Sequence, residues 1–179
     1  PGFAGNYYNA SKYYYFTTDK VWSLVYGEIF INIDPKSAYT PEIKNILLEG
    51  YKKLFSDADL EKNNKEKNSF AVAFLKTMNK QSALASAGIN AESLTMIRTR
   101  FILDWDAGYH AKFPFKLFEL YRQYIQEGLF EAYNQWVFAT AQNLPAYQAW
   151  TNAHSKEHAA LTRFLQDRIF KMPPGQYYH

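Results

Sequence analysis

His154-Ser155-Lys156-Glu157-His158 is the local motif best suited to chemistry. On a helix, two imidazoles four residues apart share one face and can both ligate Zn²⁺. The intervening Glu157 is then free to act as general base toward a metal-bound water. A second grouping, Asp104-Trp105-Asp106 with His110 close by, sets acids beside an imidazole. Two residues apart on a helix, its carboxylates point in different directions and cannot share a proton. The expectation there is a surface ion network, with Arg98 or Arg100 on the helix surface relieving acids placed against the helix dipole.

The order His-x-x-Glu-His resembles the inverted zincin metallopeptidases, which take a third ligand, a glutamate, well downstream. No Glu follows Glu157 in this chain, so a metal would need an upstream ligand such as Asp104, Asp106 or His110. Tyr147, Trp150, His154, His158, Leu161 and Leu165 also form one helical stripe, which turns both imidazoles toward neighbouring helices. Packed, hydrogen-bonded histidines are therefore expected, with no catalytic residue and no cofactor assigned. A metal-dependent hydrolase centred on His154, Glu157 and His158 stands as an alternative. Walker, GxGxxG, GxSxG and EF-hand patterns are missing from the sequence. Asn9-Ala10-Ser11 fits an N-glycosylation acceptor, a pattern that matters only in a eukaryotic secretory protein.

The elements that must position these groups are helical. Val21, Leu24, Val25, Ile29 and Ile33 recur at spacings of three and four, with Trp22, Tyr26 and Phe30 as a second stripe, so this helix is sandwiched between neighbours. Thr40-Pro41-Glu42 reads as a helix start with Thr40 as cap, followed by Ile43, Ile46, Leu47 and Leu54 on one face. Residues 56–68 turn polar and predict a solvated loop carrying Asp57, Asp59, Glu61, Lys62, Lys65, Glu66 and Lys67. Ser69 opens a short helix with Phe70, Val72, Phe74 and Leu75. Asn90 caps another, with Leu94, Ile97, Phe101 and Trp105 on one face and Gly108 at its end. Helices carrying Leu117 to Tyr124 and Phe130 to Ala141 follow, separated by Gly128, and Pro145 begins a long final helix to about Phe170. Residues 171–179, with Pro173-Pro174-Gly175, form an extended tail. The fold class is all-α: eight or nine helices in antiparallel hairpins, stacked as a short array or an irregular bundle, in one domain spanning 1–179.

Two stretches resemble the tetratricopeptide repeat, a helix-turn-helix of about 34 residues. In 114–147, Leu117, Leu120 and Tyr124 lie on the first helix, Gly128 at the turn, Phe130 on the second helix and Pro145 at the closing position. Tyr121, Tyr133 and Thr140 stand where the family has small residues. In 4–37, Tyr7, Ala10, Ser11, Tyr14 and Ser23 fit, with Ile33-Asp34-Pro35 at the close and Thr18 in place of the turn glycine. The resemblance implies a groove lined by first helices that captures a protein or peptide. Its partner-binding positions would be Tyr8, Lys12 and Tyr15 on one unit and Phe115, Phe118, Arg122 and Ile125 on the other.

Composition fits that reading. Of 179 residues, 15 are Tyr, 14 Phe and 4 Trp, enough rings both to fill a helical core and to line a partner surface. Cys is absent, which removes disulfides and thiol chemistry. Asp104, Asp106 and Glu119 interrupt the most basic stretch, Arg98 to Arg122, so nucleic acid is not expected as a partner. No apolar run reaches the length of a membrane span. The chain starts at Pro1 rather than Met, so removal of a leader or another domain is expected. The Tyr-, Asn- and Lys-rich usage resembles that of uncharacterised bacterial surface or envelope proteins. The leading expectation is a non-enzymatic helical module binding a protein or peptide through an aromatic-lined surface. A helical bundle binding a small apolar ligand is a further alternative.

Overall fold

The structure is a computed structural model that describes residues 3–56, 60 and 67–179. The polar stretch expected as a loop therefore lies largely outside the described residues. All regular structure among the described residues is helical. Helices α1 (Ala4–Tyr15), α2 (Lys20–Ile33) and α3 (Thr40–Leu54) come first, then α4 (Ser69–Asn79) and the short α5 (Ser82–Ala85). Next are α6 (Ala91–Gly108) and α7 (Lys116–Gln126). A continuous helical run follows, made of α8 (Phe130–Asn134), a π-helical turn (Gln135–Ala139) and α9 (Thr140–Gln142). The last two are α10 (Leu144–Ala153) and α11 (Ser155–Asp167).

Helix starts follow local chemistry. The Asn68 side chain accepts from the amides of Phe70 and Ala71, Asn90 and Ser93 form a reciprocal capping box, and Asn143 accepts from the Ala146 amide. Thr40 does not cap as expected. Its hydroxyl donates instead to the Asp34 carbonyl at 3.0 Å, closing the preceding turn, and Pro41 supplies the preset φ of the first helical turn. Gly128 takes the bend after α7 at a φ of +69°, a left-handed conformation that side chains with a Cβ resist.

α2 is the central helix, buried from Val21 to Asn32 except at Tyr26, and it packs against α1, α3 and α4. Against α1 the approach is close. The Ser11 and Ser23 hydroxyls each donate to the other residue's carbonyl at 2.9 Å, and a Cβ on Gly27 would lie 2.8 Å from Ser11 Oγ. Small residues thus replace an apolar seam here. Partnerships distant in sequence, α3 with α9 and α11 with α8, close the helices into a bundle.

The core is strongly aromatic. Trp22, Phe70, Phe74, Phe101, Trp105 and Phe118 form one chain of rings through the α2–α4–α6–α7 region, with centroids 4.9 to 6.3 Å apart. The tail joins it. Tyr178 stacks on Phe70 at 4.9 Å and donates to the Pro114 carbonyl, and the His179 ring lies against Trp22 and Tyr14. Gln176 Oε1 accepts from the Lys116 amide, satisfying one of the open donors at the start of α7.

A buried charged pair shapes this core further. Glu28 of α2 and Arg98 of α6 form a buried ion pair at 2.6 Å. The second Glu28 oxygen accepts from the Tyr133 hydroxyl at 2.6 Å, and Arg98 also donates to Asn134. Five rings enclose the guanidinium, those of Tyr51, Tyr121, Phe130, Tyr133 and Phe138. Burial pushes the phenols of Tyr121 and Tyr133 far above their ordinary pKa, so both stay neutral, and the Tyr133 hydroxyl serves as a hydrogen-bonding group. The expectation of a surface Arg98 is thereby corrected: its partner is an acid far away in sequence, not a nearby aspartate.

Candidate functional site

The continuous run from Phe130 to Gln142 forms one wall of a cavity of about 300 Å³. Trp136, inside the π turn, and Thr140, one step beyond it, both face this cavity. A π turn shifts the register of the residues after it, and such turns occur often at functional sites. α10 and α11 supply the opposite wall through Tyr147, His158, Leu161, Thr162, Leu165 and Gln166, and the α2–α3 turn supplies Pro35 and Lys36. Among the residues of α10 and α11 only Leu161 is buried, so this outer wall rests lightly on the bundle. Arg168, just past α11, ties it down by donating to Asn32 Oδ1 at 2.8 Å.

Lys44 does not line the cavity but lies against two of its lining residues, Trp136 and Thr140. Its residue is 7 % exposed, its Nζ lies 3.7 Å from the Trp136 ring centroid, and the same atom donates to Thr140 Oγ1 at 3.3 Å. Thr140 in turn donates to the Trp136 carbonyl. Burial lowers the Lys44 pKa from the usual lysine value to about 7. Burial also raises the pKa of the Tyr147 phenol.

The motif histidines sit at the edge of this site without forming a metal set. His154 occupies the break between α10 and α11, so the single long final helix expected from the sequence is two helices. Its ring stacks on Trp150 at 4.6 Å, and its Nδ1 lies 3.0 Å from the Trp150 carbonyl. His158 meets Tyr147 edge-on, with centroids 6.2 Å apart, and lines the cavity. The described residues contain no group of three His, Cys, Asp or Glu able to hold a metal ion. Asp104 accepts from Gln81 at 2.8 Å, while Asp106 pairs with Arg122 at 3.2 Å and lies 4.0 Å from His110.

Within the two sets of expected partner-binding residues, Tyr8 meets Lys12 and the Phe115 ring meets that of Phe118, with centroids 5.0 Å apart. Phe115 and Phe118 are buried in the aromatic core, Ile125 is half-buried on α7, and Arg122 is held by Asp106. On α1, Lys12 and Tyr8 both bond Glu42, at 2.8 and 2.6 Å, and Lys12 also donates to the Tyr8 hydroxyl. These contacts raise the Lys12 pKa and lower that of Glu42. The Tyr15 ring lies beneath the Lys53 ammonium at 3.9 Å.

Trp136, Thr140 and Lys44 are the site residues that the sequence reading missed. Lys44, Leu48 and Tyr51 follow one another at spacings of four and three, so an isolated charge on a buried stripe was the available signal. No family model, curated protein or solved structure matches the chain. No helix among the described residues is long and apolar enough to cross a membrane.

Proposed function

We propose that this chain is a helical binding module whose site is the Trp136–Tyr147–His158 cleft and whose ligand is a small organic molecule with an apolar body. The observation that carries this reading is the cavity itself, about 300 Å³ with Trp136, Tyr147, Leu161 and Leu165 as apolar walls and a few polar groups at its margin. That is the size and lining of a ligand site, in which burial of an apolar body supplies affinity and sparse polar groups fix orientation. The light seating of α10 and α11 provides the route of entry, because weakly buried elements open at low cost.

The test is a two-dimensional NMR titration with 2-phenylethanol. Shifts confined to the Trp136 indole and to the amides of Thr140, Thr162 and Leu165 support the reading, and Thr162→Trp, which fills the cleft from its exposed side, abolishes them. Shifts scattered over the surface, or none, remove it.

A second reading keeps the protein-partner role and sets it on α1. Tyr13 and Phe16, at the C-terminal end of this helix, are 67 and 80 % exposed, rings of the kind that partners cover. Residues 4–37 and 114–147 each contain a helix-turn-helix, which supports a tetratricopeptide-like organisation of the hairpins.

A further inference from the structure

We infer that the cleft takes an organic acid, with its apolar body between Trp136 and Leu165 and its carboxylate against Lys44. The inference rests on the cleft reading above and narrows it to one chemical class.

Three observations support it. First, the buried Lys44 ammonium is under-satisfied. An ammonium offers three donors, yet among the described residues Lys44 has one acceptor, Thr140 Oγ1, and the face of Trp136, and forms no ion pair. A buried cation without an anion is costly, so a site beside one favours a ligand that supplies the missing charge. Second, the cavity lining contains no Asp or Glu, while Lys36 and His158 both belong to it. Lys36 carries the fixed charge of this lining, and a cationic ligand finds no counter-charge among these residues. Third, the residues that touch Lys44 are themselves walls of the cavity. Thr140 and Trp136 each have one side on the amine and another on the open space. In the inferred complex, rotation about the terminal bonds of the lysine side chain would carry Nζ past Thr140, and the incoming carboxylate would replace the threonine hydroxyl as acceptor. Charge-assisted hydrogen bonds of this kind are shorter and stronger than the neutral one they replace.

The experiment compares phenylacetate with 2-phenylethanol, an acid and an alcohol of nearly the same shape, on the full chain at about pH 6, where an amine of this pKa is charged. The acid is expected to bind about tenfold tighter or more, with shifts on the same cleft residues. Lys44→Met keeps the buried stem and removes the charge. It should bring the two affinities within about twofold of each other. Lys36→Gln should retain the preference, which separates the buried amine from the exposed one. Equal affinities in the unmodified chain, or a preference that survives in Lys44→Met, overturn the inference and leave the cleft reading intact. Failure of both compounds to bind removes the cleft reading and the inference with it. Should Lys44→Met not fold, Thr140→Val, which removes the hydroxyl that now holds the amine, should raise the ratio of acid to alcohol affinity; a ratio that does not rise counts against the inference.

Discussion

Arg98 Nη2 and Glu28 Oε1 lie 2.6 Å apart, joining α6 to α2 across 70 residues of sequence, with both side chains at most 2 % exposed. A buried pair of this kind contributes little over a well-packed apolar pair, but removing one partner strands the other. Arg98→Met should destabilise the chain by about 3–5 kcal/mol in urea unfolding. The double variant Glu28→Gln with Arg98→Met should recover part of that loss, since the stranded charge is gone. A double variant no more stable than Arg98→Met would show that packing, not charge, dominates here.

Lys44 makes stability depend on pH with a definite sign. Its pKa is lowered from an unfolded value near 10.5 to about 7, so between those limits the unfolded chain carries the extra proton. Stability from this residue therefore rises as pH rises through that window and is lost as pH falls toward 7. The slope is at most about 1.4 kcal/mol per pH unit. Unfolding free energies between pH 7.5 and 9.5 should climb in the unmodified chain relative to Lys44→Met. Parallel curves would place the amine in solvent.

At the α1–α2 seam, Gly27→Ala forces a Cβ to within 2.8 Å of Ser11 Oγ, 3.0 Å of a Leu47 methyl and 3.2 Å of an Ile43 methyl. These atoms come from two different helices, so no single side-chain rotation relieves the crowding. A cost of about 1–3 kcal/mol is expected. Ser11→Ala added to it should recover a fraction, because Leu47 and Ile43 remain. Full recovery would mean that the serine alone sets the helix spacing.

Tyr178→Ala removes the stack on Phe70 and the hydrogen bond to the Pro114 carbonyl. A loss of about 1–2 kcal/mol is expected. The local signature is sharper: the Lys116 amide, which donates to Gln176 at 2.6 Å, should exchange its hydrogen much faster while α2 amides stay protected. An unchanged Lys116 rate would show that Gln176 holds its place without Tyr178.

The helices were legible because their signals are local. Asn90 before Ser93, Gly108 at the end of α6 and Gly128 at a left-handed bend are each decided by a few adjacent residues. What was illegible is tertiary. Arg98 reads as a surface charge until Glu28 is known to face it, and nothing between Pro145 and Phe170 marks His154 as a break, since neither Gly nor Pro stands there. The candidate site was half legible: Tyr147, His158, Leu161 and Leu165 fall on one predicted stripe, but their opposite wall depends on a π turn with no local signature.

The central carboxylate also imposes an order on assembly. As the chain leaves the ribosome, α1 to α3 can associate, yet Glu28 then sits among apolar side chains with its partners Arg98, Tyr133 and Asn134 still to be made. These three helices are thus held short of their final packing until the segment from Arg98 to Asn134 has been made, and a fragment ending at residue 55 lacks the partners of its central carboxylate.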